Sequence, residues 1–106
     1  MDIDDALVYL SKINKSNIHK TEHFNLRVQH RKKHIPHDTN ELYSIILNEK
    51  PVSISKQDDS KFKLGYELNE DYDLTIIVSI KTQKSLTINL VTCYIEQAKK
   101  RMRKDG

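Results

Sequence analysis

The spacing of apolar residues changes its period once along the chain. Before Pro51 the apolar residues recur every three or four positions, which is the spacing of amphipathic helices. After Pro51 apolar and polar residues alternate, which is typical of strands with one buried face. The helical part predicts three helices, over residues 2–13, from Thr21 to about Lys33, and from Asp38 to about Asn48, with Pro36 between the second and the third.

The alternating part predicts four strands separated by short polar connections. The strands begin near Val52, Phe62, Leu74 and Leu86. Connections of three or four residues join neighbouring antiparallel strands, so the sequence predicts a four-stranded antiparallel meander. Helices must cover its apolar face, which gives an α+β domain with the N-terminal helices packed on one side of the sheet.

The last strand carries polar residues in phase with its apolar ones. Counting in steps of two from Leu86 through Leu90 brings Thr92 and Tyr94 onto the same face. We therefore expect Thr92 and Tyr94 to point towards the helical layer. They would line a cleft at the edge of the core, or alternatively be buried and hydrogen bonded to each other.

Chain length and charge indicate one domain with a polyanionic partner. The 106 residues suffice for one domain, with an N-terminal helix (1–14), a core (20–95) and a basic tail (96–106). The net charge is only +3, but residues 15–34 hold six Lys or Arg against one Glu, and five of the six residues 99–104 are basic. Such asymmetry fits a partner such as RNA. The alternative is that the lysines only keep a small protein soluble.

Other compositional features narrow the function classes. A single Cys93 excludes an internal disulfide and is expected to pack as a small apolar residue. No apolar run is long enough for a membrane span and no signal peptide is recognisable, so we expect a cytoplasmic protein without a membrane partner. With two glycines in the chain, a glycine-rich phosphate loop is excluded, and no cofactor is expected.

The second predicted helix concentrates residues suited to phosphate chemistry. At 100° per residue, one arc of about 100° contains a row of His and Arg side chains. These are His23, Arg27, His30, Arg31 and His34. Histidine transfers protons near neutral pH and arginine binds phosphate oxygens, so this row suits RNA cleavage, with Tyr66, Thr92 and Tyr94 available on strands. The alternative is a solvated helix face.

A metal site is a competing interpretation of the same helix. His30 and His34 have the i, i+4 spacing of helical zinc ligands, and His37 follows them. No Glu follows His30, and His23 lies two turns away, about 10 Å along the axis. The metalloprotease pattern is therefore absent, and we predict no metal ligands.

The order of several short motifs resembles a known superfamily. The motifs are His-x3-Arg-x3-Arg on a helix with Ile35 after it, Lys-x-Gly-Tyr ending at Tyr66, Asp73-Leu74-Thr-Ile-Ile-Val, and Val91-Thr92-x-Tyr94. This order is similar to small domains of the RelE-like and BrnT-like toxin superfamily, which includes barnase and the colicin ribonucleases. The resemblance covers roughly residues 20–95.

The resemblance implies a RelE-like fold and a metal-independent endoribonuclease. It implies RNA, including ribosome-bound messenger RNA, as substrate and a cognate antitoxin as partner. His23 would be the acid or base, Arg27 would hold the phosphate, and Tyr94 would complete the catalytic set. The predicted RNA contacts are His30, Arg31, His34, Tyr66, Thr92, Lys99, Arg101 and Arg103. The alternative function is a non-catalytic RNA- or protein-binding module that uses the basic helix and the C-terminal tail.

Overall fold

The computed structural model describes residues 1–20, 24 and 39–97 of the chain. Its elements follow the order helix, short turn, strand, helix and four strands. They are α1 (Ile3–Lys12), a 3-10 turn (Lys15–Asn17), β1 (Ile18–Lys20), α2 (Thr39–Asn48), β2 (Ser53–Lys56), β3 (Lys61–Glu67), β4 (Tyr72–Lys81) and β5 (Thr87–Gln97).

Helices α1 and α2 form where the apolar spacing predicts them. α1 begins with a reciprocal cap, in which the Asp2 carboxylate accepts a hydrogen bond from the Asp5 backbone N–H at 2.8 Å. The predicted helix from Thr21 to Lys33 lies outside the described residues, except for Phe24, which is helical and buried. Among the described residues, no helix has the length and apolar character needed to cross a bilayer.

The sheet has five strands in the order β1-β5-β4-β3-β2. Strands β2 to β5 form the predicted antiparallel meander. The prediction of a four-stranded, purely antiparallel sheet is wrong, because β1 adds a fifth strand that pairs with β5 in parallel. The protein is therefore α+β with a mixed sheet.

Strand β1 escapes prediction because it is held by contacts with a distant part of the chain. It has three residues, of which only Ile18 is buried, so it shows no alternation. Just before it, the Asn17 side-chain amide donates a hydrogen bond to the Leu86 carbonyl oxygen at 2.9 Å, across 69 positions of sequence. This bond places the start of β1 beside the start of β5.

The core lies on one face of the sheet. Cross-strand partners share a face, and the pairs Phe62–Val78 and Leu64–Ile76 are fully buried. Helices α1 and α2 contribute further members of the same cluster. These helical members are Ala6, Leu10, Leu42 and Ile46. Phe24 joins the cluster as well.

A β-bulge interrupts the pairing of β4 with β5. Val78 pairs with Leu90, but the preceding residue of β4, Ile77, pairs with Thr92, which leaves Val91 as an extra residue. One extra residue inverts the side-chain alternation beyond it. The expectation that Thr92 and Tyr94 face the helices is therefore wrong, since they lie on the opposite side of the sheet from Leu90.

The bulge makes a testable prediction about Cys93. Beyond Val91 the residue that faces the core is Cys93, which is 0% exposed as predicted for a packed apolar side chain. We expect the thiol of the native protein to resist labelling by a water-soluble disulfide reagent and to react rapidly in denaturant. Rapid labelling without denaturant would contradict the register of β5, which places Cys93 in the core.

Candidate functional site

The side of the sheet opposite the core forms a polar face. Its members follow from the strand register, because residues paired across strands point to the same side. From β2 to β1 they are Ser53, Ser55, Lys61, Lys63, Gly65, Glu67, Asp73, Thr75, Ile77, Ser79, Lys81, Thr87, Asn89, Thr92, Tyr94, Glu96 and His19. Ile77 is the one large aliphatic side chain in this set. Both described helices pack on the other side of the sheet.

Charges on the polar face are separated along the strands. Glu67, Asp73 and Glu96 are paired across β3, β4 and β5 and form an acidic row at one end. Towards the other end, Lys61 pairs with Ser79, and His19 of β1 belongs to the same transverse row. The polar face therefore has an acidic end and a basic end.

Lys63, Tyr94 and Glu96 form a cluster that extends from the middle of the polar face to its acidic row, and we name it the Lys63 cluster. The Lys63 ammonium lies 2.8 Å from a Glu96 carboxylate oxygen and 6.0 Å from the centre of the Tyr94 ring. Lys63 belongs to β3 and the other two to β5, so the contact crosses over β4. The ion pair is partly exposed and contributes at most about 1 kcal/mol to folding.

Lys63 and Tyr94 both stay protonated at neutral pH. The hydrogen bond to Glu96 raises the pKa of Lys63. Partial burial raises the pKa of the Tyr94 hydroxyl, and the hydrogen bond and charge of Glu96 add to that effect. Lys63 is therefore a cation and Tyr94 a neutral phenol. The cluster offers hydrogen-bond donors and an aromatic ring, and Tyr94 is a poor general base.

Thr92 and Tyr94 are the predicted site residues that the structure brings together, both on β5 and both on the polar face. Tyr66 does not join them, because it pairs with Leu74 on the core face and is 2% exposed. A base could not stack on its ring there. The remaining predicted residues lie outside the described part of the chain. These are His23, Arg27, His30, Arg31, His34, Lys99, Arg101 and Arg103, together with His37 of the metal alternative.

Lys63 and Glu96 were missed by the sequence-based prediction, although one signal was present. The apolar residues of β5 occupy even positions up to Leu90 and odd positions from Cys93 to Ile95. Such a change of phase within one strand is what a bulge produces. A bulge inferred from this change of phase would have placed Tyr94 and Glu96 on the same face of the sheet as Lys63.

The fold and the polar face define a small α+β domain whose five-stranded mixed sheet is covered by helices on one side and polar on the other. The family model of the MJ0788 family matches residues 4–78, and the chain belongs to this family. It is 48% identical over 62 residues to Uncharacterized protein MJ0788 from Methanocaldococcus jannaschii, which covers 58% of this chain and 77% of that protein. No solved structure matches.

The family assignment corrects the resemblance drawn from the short motifs. The chain was expected to belong to the RelE-like and BrnT-like superfamily, and this expectation is wrong, because the matching family model and the similar protein are both those of MJ0788. The family match ends within β4, so Thr92 and Tyr94 lie beyond it. The motif that ends at Tyr94 therefore falls in a part of the chain that the family model does not cover.

The raised pKa values predict that the protein loses stability at alkaline pH. Burial, followed by the charge of Glu49, raises the pKa of Tyr66 above its ordinary 10.0. Above pH 10 the unfolded chain releases this proton while the folded state still holds it, so the free energy of unfolding falls as pH rises. The raised pKa of Lys63 likewise lowers the free energy of unfolding as the pH rises above 10.5.

Urea denaturation at pH 8 and pH 11 would measure this loss. We expect Tyr66→Phe to lose less stability than the wild type between the two pH values, because its buried ring has no proton to release. Tyr72→Phe is the matched control, since Tyr72 is 43% exposed. An equal loss in wild type and Tyr66→Phe would contradict the assignment of the effect to Tyr66.

Proposed function

We propose that this chain is a non-catalytic domain that binds single-stranded RNA on the polar face of its sheet. The observation that carries the proposal is the Lys63 cluster, in which a lysine ammonium lies over a tyrosine ring on the polar face of the sheet and both side chains are partly exposed. Single-stranded RNA is bound in this manner by many proteins, with bases stacked on aromatic rings and phosphates held by cations.

The charge gradient of the polar face supports a particular path for the RNA backbone. Phosphates would be repelled by the acidic row at Glu67, Asp73 and Glu96, and attracted to the opposite end near Lys61. A base stacked on Tyr94 would place its phosphates towards Lys63. The basic segments 15–34 and 99–104 of the sequence would add further, less specific attraction.

Binding is favoured over cleavage by the protonation of the cluster. A metal-independent ribonuclease needs a group that accepts the proton of the 2′-hydroxyl near neutral pH. Tyr94 holds its own proton because its pKa is raised, and Glu96 is engaged with Lys63. Cleavage through His23 and Arg27 stays a prediction, and the assay below tests it in parallel.

Tyr94 should supply a large part of the RNA affinity. Replacing Tyr94 with Leu removes a ring on which a base stacks, so we expect the binding free energy to weaken by about 1–3 kcal/mol. Fluorescence anisotropy with a labelled mixed-sequence single-stranded RNA in EDTA measures the change. Tyr72→Leu is the matched control, because Tyr72 is an exposed tyrosine of β4 whose side chain points to the core side of the sheet.

The two possible failures of this assay are distinct. Loss of affinity that is equal in Tyr94→Leu and Tyr72→Leu would show that the polar face is not the RNA surface. RNA that is cut in EDTA by wild type but not by His23→Ala would show that the protein is a ribonuclease, and the non-catalytic proposal would be wrong.

Lys63 and Glu96 should affect RNA affinity in opposite directions. Lys63→Met removes a phosphate partner, so we expect weaker binding. We also expect the slope of log affinity against log salt concentration to fall by about one. Glu96→Gln removes a negative charge and releases the Lys63 ammonium, so we expect tighter binding at low salt. Affinities measured over a series of salt concentrations give both quantities.

Lys56→Met provides the control for charge alone. Lys56 is an exposed lysine of β2 that pairs with Phe62, so its side chain points to the core side of the sheet and not to the polar face. Equal weakening by Lys56→Met and Lys63→Met would mean that net charge, and not the Lys63 cluster, determines binding. Weaker binding by Glu96→Gln would also contradict the proposed path of the backbone.

A further inference from the structure

The outer edge of β2 carries backbone groups that no other part of the described chain pairs. β2 is an outer strand of the sheet, and its described neighbour is β3. Gln57, directly after β2, donates its backbone N–H to the Lys61 carbonyl oxygen at 2.8 Å. Because backbone groups alternate in direction along a strand, those of Ser55 also point to β3, while those of Ile54 and Lys56 point outwards. Ile54 and Lys56 therefore present two N–H donors and two carbonyl acceptors at the edge of the sheet.

This edge is open to solvent on both sides of the sheet. Ser53 and Ser55 on the polar face are exposed, as is Lys56 on the core side, and Ile54 is half-buried. An open strand edge is a template for pairing with a further strand. β2 can therefore accept another strand without displacing any residue that the structure describes.

Exposed apolar side chains lie beside the same edge. Four large apolar residues of the described chain are exposed, and three of them, Leu7, Val8 and Val52, lie near β2. Val52 directly precedes β2, and α1, which carries Leu7 and Val8, contacts β2. Leu7 and Val8 also line a groove together with Pro51. Single exposed apolar residues are ordinary, but a group of them beside an open strand edge marks a surface for association.

The charged residues that flank β2 are opposite in sign at its two ends. Lys50 precedes the strand, and Asp58 and Asp59 follow it in the turn to β3. Glu49 still belongs to the helical hydrogen-bond pattern of α2, because its N–H bonds to the Ile45 carbonyl oxygen at 2.9 Å. A strand that is positive before its start and negative after its end is complementary to an antiparallel copy of itself, since each end then meets the opposite charge.

We propose that β2 pairs with β2 of a second copy of this chain and so forms a two-fold symmetric dimer. The two strands run antiparallel about an axis between the two Ser55 residues, and Ile54 of each copy pairs with Lys56 of the other. This register uses every outward backbone group of Ile54 and Lys56. It also brings Lys50 of each copy near Asp59 of the other. A two-fold interface has to be self-complementary, and the edge of β2 meets this condition in backbone and charge.

The position of α1 favours a second copy over an unrelated strand. A two-fold axis perpendicular to the sheet keeps both polar faces on one side and both α1 helices on the other. Leu7 and Val8 of the two helices then approach each other across the joined edges and lose contact with water. An unrelated peptide strand would satisfy the backbone groups equally well, but it would leave these apolar side chains exposed. The dimer does not depend on RNA binding, although it joins the two polar faces into one.

Sedimentation equilibrium of the full chain tests the proposal. One chain has a mass of 12.5 kDa, and we expect the mass in solution to rise towards twice this value as the concentration increases. The interface is small, so we expect a dissociation constant between about 1 µM and 100 µM. A mass that remains that of one chain at about 1 mM would overturn the proposal.

A proline in β2 tests whether the edge is the interface. Lys56→Pro removes an outward N–H and places a ring against the incoming strand, so we expect it to abolish the dimer. Proline is tolerated in edge strands where the N–H faces solvent, and circular dichroism with urea denaturation checks that the variant is folded. Lys56→Met is the matched control, since it loses the charge but keeps the N–H, and should dimerise like the wild type. A folded Lys56→Pro that dimerises like the wild type would overturn the proposal.

Charge reversal tests the antiparallel arrangement without a change to the strand itself. Lys50 and Asp59 are both exposed, so their replacement leaves the core intact. We expect Lys50→Glu and Asp59→Lys each to weaken dimerisation severalfold, and the two together to restore it, because opposite charges then meet again. A double variant as weak as the single ones would overturn the proposed register. Each of these results leaves the RNA-binding proposal untouched, since that proposal rests on Lys63 and Tyr94.

Discussion

The extra residue Val91 in β5 determines what each side of the sheet contains. Before it, Leu90 faces the core opposite Val78, and after it Cys93 takes over the core face. Without this bulge the polar side chains of Thr92 and Tyr94 would enter a closely packed apolar cluster at the cost of buried, unsatisfied hydroxyl groups. With it, the core stays apolar along the whole strand and the polar face gains its aromatic residue.

Tyr66 and Tyr94 illustrate how the environment differs between the two faces of the sheet. Tyr66 and Tyr94 both have a raised pKa for which burial is the largest cause, but they lie on opposite faces of the sheet. Tyr66 is enclosed between the helices and the sheet and is 2% exposed. Tyr94 lies under the Lys63 ammonium on the polar face and is partly exposed. The environment of Tyr94 is the one that we propose to bind RNA.

The family match covers only part of the Lys63 cluster. Residues 4–78 include α2, β3 and all of α1 except Ile3. They also include Lys63, but not Tyr94 and Glu96 of β5. The Lys63 cluster is therefore assembled partly from residues outside the part of the chain that the family model matches.

The amino-acid sequence by itself determined the elements whose signal is local. The periodic spacing of apolar residues located α1, α2 and the four strands of the meander, and therefore the α+β class, because a helix or strand that buries one face shows this in its own residues. Thr92 and Tyr94 were predicted as site residues from their polar positions in an apolar strand, and this stays a prediction.

Only the tertiary structure decided which surfaces those elements form. The pairing of β1 with β5 joins segments about 70 positions apart, and Ile18 alone carries no sign of its partner Ile88. The bulge at Val91 moved Tyr94 to the side of Lys63 and Glu96, and the packing of α2 on β3 enclosed Tyr66 beside Glu49. Strand register and packing depend on interactions between distant residues, and such interactions leave little trace in the pattern of any one segment.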